Sequence, residues 1–348
     1  MYRVRCAAND SIRVPSNSPK PKHGKLAPSK KARHEERCLL KGMFLNKEQK
    51  PLPIVSTTEL KVEKLPLNLD DIPSYGYDSD FVEKRDDMIP MSFVEFGMMN
   101  IRKELTRKRY GFLDDPYAEI EDRYEANKVR RYNRALKKLS LDDERVWKRE
   151  QNRQQIECPR MLMSVYYTLC YLLDIVYRNN PIGRFWFLET VARMPYFSYV
   201  SILQMYETLG WWELDGALKR KHLREEENET HHLRIMESLG GSASWWNRFL
   251  ARHGAMAYYG VLLILFMTSP RTAYLSSELL EMHAVDTYTE FFESNERILK
   301  SLPPTKEAIR YKPGAWNMYD VFRQIAADEL EHAVNMKYVR SLPNKRER

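Results

Sequence analysis

Two Glu-x-x-His motifs constrain this chain more than any other feature: Glu229-Thr230-His231-His232 and, about a hundred residues on, Glu329-Leu330-Glu331-His332. Both lie in stretches patterned as helix. At about 100° per residue, positions i and i+3 share a face, so each motif aims a carboxylate and an imidazole at one point. One such match is a common accident, usually an exposed i, i+3 pair. Of the eight histidines, however, only His232 and His332 have a glutamate three residues before them. Two such helices make half of a ferritin-like, carboxylate-bridged di-metal bundle, whose other half is two helices giving one Glu each. Glu189 and Glu281 fit that requirement.

From about residue 158 the chain divides into six helical stretches, approximately 160–178, 183–208, 213–239, 243–268, 271–300 and 315–341. The breakers between them are Asn179-Asn180-Pro181, Gly210, Gly240-Gly241, Ser269-Pro270 and the segment from Pro303-Pro304 to Pro313-Gly314. No strand-like alternation competes with them. The expected fold is all-α: a ferritin-like di-iron four-helix bundle with its ligands on the second, third, fifth and sixth stretches, plus two additional membrane-surface helices. The additional pair are the apolar stretch 160–177 and the one holding the run Ala255 to Met267. That run has about 13 residues, short of the ~20 needed to cross a bilayer, and Arg252, His253 and Arg271 flank it. A helix on a membrane surface fits it; burial as ordinary bundle core is the rival reading.

The formal charge of +8 is concentrated at the N-terminus. Residues 1–34 carry nine Lys or Arg against one acid, Asp10, and the rest of the chain is balanced. A leader rich in Arg, Lys and Ser without an apolar core reads as an organelle transit segment, with a solvated basic tail as the alternative. Nucleic-acid binding has no support beyond that leader. Residues 35–80, punctuated by Pro51, Pro53, Pro66 and Pro73, read as linker. The stretch 81–157 is dense in charge and poor in periodic apolar positions, as expected of a charged helical arm on the surface. The helical core that carries the candidate metal ligands then occupies 158–341. The four cysteines form no CxxC pair, which suggests a reduced compartment, and Cys170 reads as a small core residue.

Hard carboxylates with two imidazoles and no thiolate suit iron or manganese better than a structural zinc, and iron is favoured. Glu189 sits within Phe185-Trp186-Phe187-Leu188-Glu189-Thr190, where an unpaired carboxylate would be costly. A metal removes that cost, and so would a buried ion pair with Arg193 one turn on. Glu281 is less conspicuous, because Glu278 lies nearby. Asp328 could orient a histidine, or simply be a charge on an exposed helix face.

These residues stand within longer matching stretches: Leu188-Glu189-Thr190-Val191-Ala192-Arg193-Met194-Pro195-Tyr196-Phe197, Met205-Tyr206-Glu207-Thr208-Leu209-Gly210-Trp211-Trp212, Asn228-Glu229-Thr230-His231-His232, Ser269-Pro270-Arg271 and Asp328-Glu329-Leu330-Glu331-His332. From about 160 to 341 the chain thereby resembles the alternative oxidase superfamily of membrane-surface di-iron quinol oxidases. Within it, the Pro-Tyr-Phe and Tyr-Glu-Thr-x-Gly-Trp-Trp segments favour the plastid terminal oxidase branch over the mitochondrial one. The resemblance implies that Glu189, Glu229, His232, Glu281, Glu329 and His332 bind two non-haem irons. It implies that Tyr288, seven residues after Glu281 and on its face, is the family's tyrosine beside the metals. Arg184, Leu188, Ala284 and Thr287 match its quinol pocket. The implied activity is oxidation of plastoquinol, or another quinol, with O2 reduced to water, by a monotopic protein on one leaflet of a plastid membrane, and a homodimer is compatible with it. Two departures are visible. The Glu189 to Glu229 interval is one residue longer than usual in the plastid branch, and the segment from Tyr311 to Tyr319 is shorter than the insert of plant members.

Other readings use the same ligands. A mitochondrial-type ubiquinol oxidase would sit on the mitochondrial inner membrane. A di-iron monooxygenase of a lipid or quinone precursor would leave an oxygen atom in its product. A non-catalytic iron-binding membrane protein would oxidise no quinol.

Overall fold

The computed structural model describes residues 90–106, 127–212 and 216–343. The leader 1–34, the linker 35–80 and parts of the arm, 81–89 and 107–126, lie outside the described residues. Among the described residues all regular structure is helical: α1 Phe93–Thr106, α2 Asn127–Leu136, α3 Asp143–Asn152, α4 Arg160–Tyr177, α5 Pro181–Thr208, α6 Ala217–Ser238, α7 Trp245–Thr268, α8 Pro270–Ser294, α9 Glu296–Ser301, α10 Lys306–Tyr311 and α11 Met318–Ser341.

The breakers act through identifiable chemistry. Asn180 caps α5 by accepting from the Gly183 amide at 2.9 Å, with Pro181 in the first turn where its missing N–H costs nothing. Ser269 and Pro270 start α8 in the same way, and Asn317 caps α11 through the Asp320 amide at 3.0 Å. After α6, Gly240 takes φ +87° to reverse the chain. At Gly241 a Cβ would stand 2.4 Å from that of Trp186 and 2.9 Å from the Ile182 carbonyl oxygen, so only glycine lets this turn lie against α5.

The four helices that carry the candidate ligands, α5, α6, α8 and α11, form the bundle, with α8 packed chiefly on α11 and α5 on α6, while α7 lies against α5 and α8. Two apolar clusters bracket the centre of the bundle. One gathers Phe185, Trp186, Ile235, Met236, Phe291, Phe322 and Ile325. The other gathers Tyr196, Tyr199, Ile202, Phe266, Tyr274 and Met336. Cys170 is buried beside Tyr166 and Leu279, in a third cluster.

Within the stretch expected as a surface arm, side chains between 132 and 150 pack into this body. Tyr132, Leu136 and Leu139 are buried in the first apolar cluster. Their neighbours in α3 form an ion-pair seam with α8: Arg149 with Glu290 at 3.2 Å and also with Glu293, and Arg153 with Asp286 at 2.8 Å. Charge there marks a paired interface rather than a solvated face. Farther out, α1 meets α7 where Glu104 accepts from Arg248 at 3.0 and 2.7 Å.

The two apolar helices keep much of their surface unburied. Met161 (82 % exposed), Val165, Leu169, Leu172 and Ile175 run along α4, and Met256 (67 %), Val261, Ile264 and Met267 along α7. At 24 residues α7 is also longer than the apolar run inside it, and by length and composition alone it could cross a membrane. The run of about 13 residues had suggested otherwise.

Candidate metal centre

The inward stripe of α6 is His222, Glu225, Glu229, His232, Ile235 and Met236. Most of these groups are titratable, so the helix enters the core with charge that must find partners. Glu229 and His232 meet Glu189 from α5, Glu281 from α8, and Glu329 and His332 from α11. All six side chains are almost completely buried.

They assemble as two overlapping groups. Glu189, Glu229, His232 and Glu329 each place one donor atom within 4.8 Å of the others, and Glu229, Glu281, Glu329 and His332 do the same. Glu229 and Glu329 belong to both. Two cations that shared Glu229 and Glu329, each with one further Glu and one His, would fit this disposition. His232 Nδ1 faces inward, 3.1 Å from Glu329 Oε1 and 3.7 Å from Glu189 Oε2. His332 Nδ1 lies 2.7 Å from Glu229 Oε1.

Donor chemistry and burial both fit a metal pair. Glu189 Oε2, both Glu229 oxygens, Glu329 Oε1 and the Nδ1 atoms of both histidines have no hydrogen-bond partner, even though buried polar atoms are almost always satisfied. Without cations, protons do the compensating. Burial and, next, the Glu229 charge push Glu189 up to about 8 and Glu281 up to about 7. The same two causes raise Glu329. Glu229 goes the opposite way: against its own burial, the nearby His332 and His232 imidazoles hold it far below the carboxylate range. Burial opposes protonation of His332, but Glu229 brings it up to about 9.

Around the six lies a ring of hydrogen-bond partners. His232 Nε2 faces Tyr311 of α10 at 3.2 Å and Asp328 at 3.5 Å, while Tyr311 donates to Asp328. Asp328 is thus turned toward the histidine rather than to solvent. Despite its burial, hydrogen bonds from His232 and Tyr311 hold it down to about 2. Tyr288 donates to Glu189 and stacks on Phe185 with centroids 4.2 Å apart. Tyr196 donates to Glu281 at 2.7 Å. Arg193, the alternative partner for Glu189, pairs with Glu226 at 2.9 Å instead.

The structure gathers the six side chains singled out in the sequence, with Tyr288 and Asp328 beside them, while Tyr311 and Tyr196, which also touch the group, were not singled out. Tyr311 sits in a short helix with no spacing relation to His232. The residues matched to a quinol pocket are less clearly grouped. Arg184 is buried and held by Asp143 and Asp174, each at 2.8 Å, with Nε and Nη2 unpartnered. Thr287 donates to the His283 carbonyl at 2.7 Å, while Leu188 and Ala284 are half-buried nearby in sequence to Glu189 and Glu281. A cleft of about 250 Å³ opens beside the Arg184 partners, lined by Asp143, Asp174, Ile175 and Arg178, and by none of those four residues.

A model of the family described as alternative oxidase matches residues 125–340, including all six donors and the helices α2 and α3. The chain belongs to the alternative oxidase family. A ubiquinol oxidase of Arabidopsis thaliana, described as chloroplastic or chromoplastic, is 41% identical over 192 residues, covering 49% of this chain and 54% of that protein. A mitochondrial ubiquinol oxidase of Mangifera indica is 29% identical over 162 residues, 46% of this chain and 50% of that one. One from Trachipleistophora hominis is 30% identical over 165 residues, again half of its length. The chain spans about half the length of these alternative oxidase relatives, and the match begins ahead of the point where composition had placed the start of the core.

Proposed function

We propose that this chain is a quinol:oxygen oxidoreductase that binds two irons through Glu189, Glu229, His232, Glu281, Glu329 and His332. The observation that carries the reading is the pair of four-residue groups sharing Glu229 and Glu329. Iron, when bound, supplies the reversible electron storage and open coordination positions at which O2 is reduced. The carboxylates suit that role because they can change binding mode as the charge they compensate changes. Asp328 and Tyr311 fix the tautomer and direction of His232. The Tyr288 hydroxyl holds a proton at the Glu189 oxygen, where it is available to the reaction.

Two quinols deliver four electrons and four protons for one O2. Arg184, with two nitrogens, Nε and Nη2, unpartnered in a buried setting, suits a quinol oxygen, and Leu188, Ala284 and Thr287 suit its ring. The substrate is carried in lipid, and the unburied apolar faces of α4 and α7 suit one leaflet of a membrane. A flat seat for α7 agrees with its first turns, where buried Asn247 donates to the carbonyls of Gly183 and Gly241 and ties the helix to the bundle. The relative described as chloroplastic or chromoplastic and the basic leader favour a plastid membrane, and the Pro-Tyr-Phe and Tyr-Glu-Thr-x-Gly-Trp-Trp segments, which resemble the plastid branch, favour plastoquinol.

The test is oxygen uptake by the purified chain with plastoquinol and ubiquinol analogues, in wild type and Glu229→Ala. Uptake that is abolished in the variant, with isotopic oxygen recovered in water, supports the oxidase. Isotopic oxygen in an organic product would replace it with a monooxygenase, and iron-loaded protein without uptake would leave a binding protein.

A further inference from the structure

The centre carries a second relation that the ligand set alone does not express. Tyr196 follows Glu189 by seven residues on α5, and Tyr288 follows Glu281 by seven residues on α8. Seven residues are close to two turns, so each tyrosine shares the face of its own glutamate. The hydroxyls nevertheless cross over. Tyr288 donates to Glu189, and Tyr196 donates to Glu281 Oε1 at 2.7 Å. The two Glu-x-x-His motifs are paired in the same sense on α6 and α11, so the site has an approximate twofold arrangement in which each of the two unshared glutamates, Glu189 and Glu281, accepts from one tyrosine. The family resemblance singles out Tyr288 alone.

Tyr196 is fully buried, and its ring lies edge-on to His332 with centroids 5.6 Å apart. It therefore touches both terminal donors of the second position, Glu281 through its hydroxyl and His332 through its ring. A carboxylate with one oxygen engaged in this way has the other left for a cation. Partners of this kind orient donors, and their loss typically costs 10–100-fold in metal affinity.

We propose that Tyr196 is the positioning residue of the second metal position, holding Glu281 for the cation as Tyr288 holds Glu189 at the first. The proposal rests on the two-metal reading, and the experiment separates the two. The full chain in detergent is stripped of metal and titrated with Co(II), followed by its visible absorption and by metal analysis. Wild type should bind two equivalents; if it binds fewer than two, the two-metal reading itself fails. In Tyr196→Phe one equivalent should bind 10–100-fold more weakly and the other as in wild type, with the mirror result for Tyr288→Phe. In a Glu281→Ala background, adding Tyr196→Phe should change nothing further, since the tyrosine acts through that carboxylate. Two wild-type affinities in Tyr196→Phe would overturn the proposal. So would an equal weakening of both equivalents, which is the signature of a general packing role.

Discussion

Glu229, like Glu329, is a donor on which the arrangement turns, because it belongs to both four-residue groups while Glu189 and Glu281 belong to one each. Glu229→Ala should therefore lose both metals, and Glu189→Ala or Glu281→Ala one, as read by metal analysis after reconstitution. Equal loss in all three would mean that the carboxylates are not divided into shared and terminal donors. Protons and metals compete for the same atoms. Glu189 and Glu281 hold protons up to about 8 and about 7, and His332 up to about 9, against roughly 4.3 for a free glutamate and 6.5 for histidine. In each case the folded state keeps its proton longer than the unfolded chain. The stability this confers is complete below the unfolded values and is lost as pH rises through the folded ones. Metal-free protein should thus melt at lower temperature at about pH 9 than at about pH 6, while metal-loaded protein should be less affected. A flat profile for the stripped protein would contradict the assignment. The two Glu-x-x-His pairs were legible in the sequence because helical spacing is local, whereas Glu189 and Glu281 entered only as single carboxylates on apolar faces. Tyr311 was not, since its contact with His232 spans two helices and 79 residues. Tyr196 could have been found, because its interval from Glu189 repeats that from Glu281 to Tyr288.

The long elements were legible because their ends carry chemistry that acts within one turn: Asn180-Pro181, Gly240-Gly241 and Ser269-Pro270 stop and start helices wherever they occur. The interface of α2 and α3 was not legible, because a charged residue reads alike whether it faces water or a partner 133 or 141 positions away. Arg149 and Arg153 find Glu290 and Asp286 on α8. Leu136→Ala should accordingly destabilise the protein by about 2–5 kcal/mol in chemical denaturation, as for a core leucine. A cost within about 0.5 kcal/mol, normal for a surface site, would return these helices to a peripheral arm. For α7 the expectation is a surface role: Val261→Glu with Ile264→Glu should cut vesicle flotation of the full chain and leave the reconstituted metal content unchanged. Unchanged flotation would show that this face meets something other than lipid.

At the scale of the whole molecule, the bundle gathers buried charge at its centre and leaves apolar side chains along two outer helices, the reverse of an ordinary soluble bundle. Both inversions are explained together if the centre is filled by cations and the outer face by lipid that delivers a hydrophobic reductant. The central claim is a pair of irons between Glu229 and Glu329, and iron X-ray absorption of the reconstituted full chain tests it most directly. The account predicts an iron–iron vector of about 3–4 Å, with oxygen and nitrogen neighbours, that disappears in Glu229→Ala. Mononuclear iron in the wild type, or a vector that survives in that variant, would contradict it.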